Sequence, residues 1–214
     1  MKKVTITKDE IAELEKVFYF GDIHIIDSTA KARGSIAHLR KQDIVGFDTE
    51  TRPSFKKGVV RNMALMQIAT INECFLFRIN TIGIPEILKE FLEDDNITKV
   101  GLSLKDDFGV LKRSYPDFNP MGFIDIQKVV EEYQIADKSL QKIYAILFNQ
   151  RISKGQRLSN WEAPILTDAQ QEYAAIDAHA CLEIYRYLKG GNFNPEHSPY
   201  YREIPNPITN IENK

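Results

Sequence analysis

The chain has 214 residues, of which 43% are hydrophobic, enough to bury one substantial core. Its formal net charge of −2 excludes a strongly basic protein, so any contact with a polyanion must come from local basic patches. The two distant cysteines, Cys74 and Cys181, exclude a disulfide framework or zinc ribbon. The N-terminus lacks a signal-peptide pattern and no apolar run approaches about 18 residues, so we expect a cytoplasmic protein that does not enter a membrane.

Hydrophobic spacing and turn residues predict the elements of the first half of the chain. Thr7 is a candidate helix cap, and Pro85 is expected in a first helical turn, where its missing N–H costs little. The predicted order is a helix at 8–17, a strand at 21–27, a helix at 29–41, strands at 43–49, 62–70 and 73–79, and a helix at 85–92. The three consecutive strands are typical of an antiparallel arrangement.

The second half begins with alternation of strands and helices and then becomes helical. We predict a strand at 98–103, a helix at 106–115, a strand at 122–127, and helices at 129–134, 139–148 and 167–188. Thr167 is expected to cap the last helix, and Gly190-Gly191 to stop it. The segment 191–214, rich in proline and asparagine, is predicted to be an irregular tail. The order predicts an α/β fold with a mixed sheet, three antiparallel strands followed by parallel strands, flanked by helices.

The most informative short motif is Phe47-Asp48-Thr49-Glu50 at the end of an apolar strand. Residues i and i+2 of a strand face the same side, so Asp48 and Glu50 should project together. Two carboxylates so close raise each other's pKa unless a cation neutralises them, and hard divalent ions prefer such oxygen ligands. The alternative is an ordinary solvated strand end.

Two further segments contribute carboxylates. In Tyr173-Ala-Ala-Ile-Asp177 a spacing of four places Tyr173 and Asp177 on one helical face, although core packing of the tyrosine is an alternative. In Gly101-Leu-Ser-Leu-Lys-Asp106-Asp107 a strand leads into a helix start, where the helix dipole favours acidic residues. Capping therefore accounts for at least one of these two aspartates.

In this order the motifs resemble those of the DEDD superfamily of 3′→5′ exonucleases, in its tyrosine-bearing (DEDDy) branch, which includes ribonuclease D and the Werner-type exonuclease domains. The family pattern is Asp-x-Glu, Gly-x5-Asp and Tyr-x3-Asp, and counting six residues from Gly101 selects Asp107 over Asp106. Ala64–Ala69 and Ser159–Ala163 extend the resemblance, which covers roughly 20–190. It implies a ribonuclease-H-like fold, with an N-terminal helical extension at 1–20 and an exonuclease domain at 21–190.

The resemblance also implies a mechanism. Two divalent cations, Mg²⁺ or Mn²⁺, would be held by Asp48, Glu50, Asp107 and Asp177. They would promote hydrolysis of the terminal phosphodiester by water, which releases nucleoside 5′-monophosphates. Asp48 would bridge both ions and Asp107 would hold the second. Tyr173 would orient the attacking water, since its reference pKa of about 10 makes it a poor bulk base at neutral pH.

The expected partner is nucleic acid, as single-stranded or recessed 3′ ends of DNA or RNA, whereas protein partners cannot be named. Arg151, Lys154 and Arg157 precede the Ser-Asn-Trp-Glu stretch and are predicted to contact phosphates, with ordinary solvated charge as the alternative. A second basic stretch holds Arg52, Lys56, Lys57 and Arg61. Phe108 is predicted to contact a terminal nucleotide.

Several alternatives remain open from the residues alone. Trp161 is a candidate for base stacking, although core packing is the simpler interpretation. His179 stands where the family commonly has a tyrosine or tryptophan, and its position two residues after Asp177 favours packing over metal ligation. The chain as a whole is predicted to be an exonuclease. The alternatives are a catalytically inactive ribonuclease-H-like module that binds nucleic acid, and an endonuclease on the same fold.

Overall fold

A computed structural model describes residues 1–53 and 62–204. Its core is a six-stranded mixed sheet with helices on both faces. The strands are β1 (Lys2–Val4), β2 (Glu15–Lys16), β3 (Asp22–Ile26), β4 (Ile44–Thr51), β5 (Met63–Ala69), β6 (Glu73–Phe77), β7 (Thr98–Gly101), β8 (Phe123–Asp125), β9 (Gln150–Arg151) and β10 (Tyr201–Glu203). The helices are α1 (Lys8–Ala12), α2 (Thr29–Leu39), α3 (Ile79–Ile82), α4 (Glu86–Leu92), α5 (Leu104–Ser114), α6 (Ile126–Glu132), α7 (Leu140–Phe148) and α8 (Asp168–Lys189).

The order of the main sheet is β3-β6-β5-β4-β7-β8. Strands β4, β5 and β6 pair antiparallel, whereas β7 joins β4 and β8 joins β7 in parallel, which confirms the predicted fold class. The strand β3 adds in parallel to β6 at the opposite edge. Because β4, β7 and β8 are parallel, their carboxyl ends lie at the same end of the sheet, and this end carries the acidic motifs.

Alternation along β4 divides its side chains between the two layers of helices. Val45 and Phe47 are fully buried in a cluster with residues of α2, α4 and α5. Gly46 faces α8 on the other side, where an added Cβ would overlap the carbonyl oxygen of Ala178. A larger residue at position 46 would hold α8 away from the sheet. The buried Ala174, Ala175 and Ala178 of α8 complete this close contact.

Residues at its two ends explain where α8 begins and where it stops. Thr167 and Gln170 form a reciprocal capping box, as the predicted Thr167 cap required, and satisfy the first free N–H groups. At the other end Gly191 adopts a φ of 73°, a left-handed conformation that glycine reaches without a steric penalty. No helix within the described residues is both long enough and apolar enough to cross a membrane.

The two ends of the chain differ from the sequence expectations. The predicted helix 8–17 ends at Ala12, and Glu15–Lys16 form β2, which pairs in parallel with β9. In the tail expected to be irregular, a 3₁₀ helix forms at Pro195–His197 and β10 pairs antiparallel with β1. Strands of two or three residues are too short to show an alternating pattern, and their pairing partners lie far away in the sequence.

Other element boundaries moved by a few residues. Pro85 caps α4 from outside the first turn. The strand predicted at 122–127 ends at Asp125, whose side chain caps α6. This helix begins at Ile126, three residues before the predicted start at 129. The short helix α3 had no counterpart among the predicted elements.

Candidate active site

The end of β4 places two carboxylates on the face of the sheet that α8 covers. Asp48 and Glu50 lie opposite Gln67 and Leu65 of β5 in the antiparallel register. The helix α8 supplies Asp177, which is 8% exposed. One ligand oxygen from each of these three residues lies within 4.8 Å of the others. The period of two along β4 and the close approach of α8 at Gly46 therefore bring the three groups together.

The electrostatics of this cluster favour a cation. Burial, with the charges of Asp177 and Glu50, raises the pKa of Asp48 well above its ordinary value. Burial, with the charges of Asp177 and Asp107, raises the pKa of Glu50 to about 9. Burial also raises the pKa of Asp177 to about 7, although a hydrogen bond from Tyr173 opposes this. Three desolvated carboxylates that resist ionisation together form an oxygen-donor set that suits a hard divalent ion.

Tyr173 lies one turn before Asp177 on α8 and is half-buried. Burial and the charges of Asp177 and Glu50 raise the pKa of its hydroxyl far above the ordinary value. The hydroxyl therefore stays protonated across the physiological range and acts as a hydrogen-bond donor. This arrangement agrees with the spacing of four residues between the two positions.

Asp107 lies outside the group of three but within its electrostatic reach. Thr49, whose side chain leaves β4 on the opposite face from Asp48 and Glu50, donates a hydrogen bond to Asp107. Burial raises the pKa of Asp107 to about 6, although this bond opposes the shift. Asp106, the competing residue, is exposed on α5. The charge of Asp107 raises the pKa of both Asp48 and Glu50, so Asp107 is the aspartate of this pair that lies near the three carboxylates.

Two residues near the site were not singled out from the sequence. Asp125, at the end of β8, accepts hydrogen bonds from the backbone N–H groups of Ser103, Leu104 and Gln127, at 3.2, 3.2 and 2.9 Å. It thereby joins the starts of α5 and α6, and the strand-to-helix change after Phe123-Ile124 was the signal available in the sequence. The second is Gln67, which is fully buried beside Asp48 and whose amide has no hydrogen-bond partner among the described residues.

Comparison with known families accounts for this combination of fold and carboxylates. Residues 23–190 match the family model described as 3′-5′ exonuclease. The chain belongs to this 3′-5′ exonuclease family. The matched region includes every residue of the candidate site, and its motifs are those of the DEDDy branch.

Sequence relatives include named exonucleases of larger size. The mouse bifunctional 3′-5′ exonuclease/ATP-dependent helicase WRN is 34% identical over 156 residues, which cover 70% of this chain and 11% of the mouse protein. An Arabidopsis thaliana 3′-5′ exonuclease is 34% identical over 154 residues, covering 68% of this chain and 52% of that protein. The chain thus spans only part of each of these exonucleases.

Solved exonuclease structures share the fold. The EXO domain of Aedes aegypti Nibbler superposes with a TM-score of 0.70 at 23% identity, covering 81% of this chain and 92% of that domain. Escherichia coli RNase D superposes with a TM-score of 0.70 at 21% identity, covering 79% and 44% of the two chains. These similarities establish the ribonuclease-H-like fold of this family member.

The predicted substrate-binding residues of this exonuclease-family chain occupy different surroundings. The charge of Arg157 acts on Glu50 and lowers its pKa against the effect of burial, so this arginine lies near the carboxylates. Arg151 lies on β9, and its Nε donates a hydrogen bond to the carbonyl oxygen of Leu14 at 2.8 Å, so it joins β9 to the N-terminal segment. Lys154 is exposed. Phe108 packs edge-on against Phe123, with ring centroids 4.9 Å apart.

The remaining candidates also have defined positions. Arg52 forms an ion pair with Glu162 at 3.2 Å. The other members of that basic stretch, Lys56, Lys57 and Arg61, lie outside the described residues. Trp161 is fully buried, which confirms core packing. His179 contacts the Ile71 carbonyl oxygen at 3.0 Å and Glu183 at 3.3 Å, away from the three carboxylates, as its expected packing role requires.

Proposed function

We propose that this chain is a metal-dependent 3′→5′ exonuclease that removes nucleotides from nucleic-acid 3′ ends. The single observation that carries the proposal is the group of Asp48, Glu50 and Asp177, with ligand oxygens within 4.8 Å of one another beside Tyr173. Membership of the 3′-5′ exonuclease family supports the same activity. The products proposed are nucleoside 5′-monophosphates.

Asp48, Glu50 and Asp177 fit one divalent cation, Mg²⁺ or Mn²⁺, by their oxygen donors and by the mutual repulsion that a cation relieves. Asp107, held by Thr49, would serve a second cation together with Asp48. When bound, such ions supply an activated water and neutralise charge on the phosphoryl oxygens.

The chain's own groups then position the reactants. Tyr173 remains protonated, so it donates a hydrogen bond that orients the attacking water and does not act as the base. Arg157, near Glu50, supplies a positive charge to the phosphate of the bound strand. We propose Lys154 as a further phosphate contact and Phe108 as a contact for the terminal nucleotide. Arg151 is retained as a weaker candidate because its Nε is already engaged.

Nucleic acid is the substrate class that the structural neighbours support. A Trypanosoma brucei RNase D has been solved with RNA, and Brucella melitensis NrnC with pGG. We extend nucleic-acid binding to this chain, propose a free 3′ end as the point of attack, and leave both DNA and RNA as substrates to be compared. Both cysteines are buried free thiols, in keeping with the reducing cytoplasm expected from the sequence.

The direct experiment follows a 5′-labelled oligonucleotide, as matched DNA and RNA, with Mg²⁺, Mn²⁺ or EDTA. We expect a ladder that shortens from the 3′ end with either ion and intact substrate in EDTA. Circular single-stranded DNA is the control, because it has no 3′ end. Cleavage of the circle would identify an endonuclease. Binding without cleavage in any condition would identify an inactive nucleic-acid-binding module.

Substitutions test the residue assignments. Asp48→Asn and Asp177→Asn should each abolish the ladder while the circular dichroism spectrum stays unchanged, since each removes a ligand and relieves repulsion. Asp107→Asn should reduce turnover far more than Asp106→Asn, because the charge of Asp107 acts on Asp48 and Glu50, whereas Asp106 is exposed. The opposite ranking would show that the wrong aspartate had been assigned.

A further inference from the structure

A second surface lies between α5 and α6 along the free edge of the sheet, and we call it the lysine groove. It encloses about 590 Å³. Leu104, Phe108 and Phe123 form an apolar floor, and Lys105, Lys112 and Lys128 form the rim. Both phenylalanines are half-buried, so part of each ring remains accessible from the groove.

The groove carries a local positive charge on a chain whose net charge is negative. All three lysines are exposed, and no carboxylate of residues 1–53 and 62–204 forms an ion pair with them. The two acidic residues at the end of α6 are already paired, Glu131 with Lys138 at 2.6 Å and Glu132 with Lys189 at 2.7 Å.

One acidic residue does line the groove. This is Asp125, whose carboxylate accepts hydrogen bonds from three backbone N–H groups at the starts of α5 and α6. Those partial positive charges offset its negative charge. The positive field of the three lysines is therefore the dominant field of the groove.

The groove begins at the end of the sheet that carries the candidate active site. The carboxyl ends of β4, β7 and β8 lie at this end, because these strands are parallel. Lys105 lies in the first turn of α5, the turn that also carries Asp107, although a separation of two residues turns the two side chains to different faces of the helix. Lys112 lies about 10 Å farther along α5, given the rise of about 1.5 Å per residue. A chain of positive charges thus leads away from the carboxylates.

We propose that the lysine groove binds the phosphodiester backbone of the single strand whose 3′ end occupies the candidate active site. This inference rests on the proposed function. The three ammonium groups neutralise successive phosphates, and the apolar floor contacts bases, which only an unpaired strand exposes on this surface. The groove would provide a local positive surface for a polyanion on a chain whose net charge is negative.

The first test measures binding, independently of catalysis. The variant Lys105→Gln/Lys112→Gln/Lys128→Gln is titrated with a fluorescent single-stranded dodecanucleotide in EDTA, over a series of salt concentrations. At about 0.7 counterions per phosphate contact, the salt slope should fall by about 2 units relative to the wild type. The matched control removes three positive charges from α1, α2 and the turn after α2 through Lys8→Gln/Arg33→Gln/Lys41→Gln, and should keep the wild-type slope. Equal slopes for the two triple variants would overturn the inference.

The second test measures dependence on strand length. The ratio of kcat/KM for a dodecanucleotide to that for a trinucleotide should fall about tenfold in the groove variant and stay at the wild-type value in the control. The variant with three Lys→Arg substitutions should restore the ratio, because it keeps the charges. A ratio unchanged in the groove variant would refute the lysine groove. Absence of hydrolysis of either strand by the wild type would instead refute the proposed exonuclease, so the two failures are distinguishable.

Discussion

Glu50 is a carboxylate whose removal should stabilise the metal-free protein. Its pKa rises from an ordinary value of 4.5 to about 9, first through burial and then through the charges of Asp177 and Asp107. Between these two pH values the folded chain keeps a proton that the unfolded chain has lost. The contribution of this group to stability is therefore complete below pH 4.5 and is lost progressively as pH rises toward 9.

Glu50→Gln removes this titration, because glutamine is neutral in both states. From pH 4.5 to pH 7, at about 1.36 kcal/mol per pH unit, the variant should gain about 3 kcal/mol in the free energy of unfolding over the wild type. Near pH 4.5 the difference due to titration should vanish. Urea unfolding in EDTA at pH 4.5 and pH 7 measures both values.

The matched control for this prediction is Glu13→Gln, at an exposed side chain without an ion pair among the described residues. It should change the free energy of unfolding little at either pH. Adding Mn²⁺ at one hundred times the wild-type Kd should narrow the difference at pH 7, since the wild type gains about 2.7 kcal/mol and the variant, which binds the ion less tightly, gains less. A Glu50→Gln effect that is equal at the two pH values in EDTA would refute the reasoning.

Three further substitutions test the architecture of the site. Tyr173→Phe should lower kcat at least tenfold and leave the Mn²⁺ affinity, measured by calorimetry, near the wild-type value; a large loss of affinity would show that the tyrosine holds the metal set together. Asp125→Ala should destabilise the fold by about 3 kcal/mol in urea, because three backbone N–H groups at two helix starts lose their acceptor, and a loss below about 0.5 kcal/mol would contradict this. Gly46→Ala should destabilise the fold by at least about 3 kcal/mol, as its Cβ overlaps the Ala178 carbonyl oxygen, and wild-type thermal stability would show that α8 does not pack as described.

The placement of the acidic motifs on one strand and one helix was predictable, because the sequence patterns that indicate it are local. The period of two along β4 puts Asp48 and Glu50 on one face, and a spacing of four puts Tyr173 and Asp177 on one face of α8. The antiparallel order of β4, β5 and β6 was predicted from their succession along the sequence without a predicted helix between them, and it is confirmed. The start of α8 follows from the side chain of Thr167.

The N-terminal and C-terminal segments were harder to predict for a physical reason. The pairing of β1 with β10 joins residues about two hundred positions apart, and β2 pairs with β9 across 135 positions. Neither strand is long enough to show a hydrophobic period. Arg151 illustrates the consequence, because its Nε donates a hydrogen bond to the backbone carbonyl of Leu14, a contact that its local sequence does not indicate.

Which carboxylates are present and which pairs share a face could be predicted before folding was considered, because those relations depend on the repeat of a single strand or helix. The folded chain was needed to show that Asp177 reaches Asp48, through the contact that Gly46 permits, and that Thr49 donates a hydrogen bond to Asp107 from the opposite face of β4. The lysine groove likewise exists only after α5 and α6 meet at the edge strand. These relations are decided by packing between distant segments, which no local period encodes.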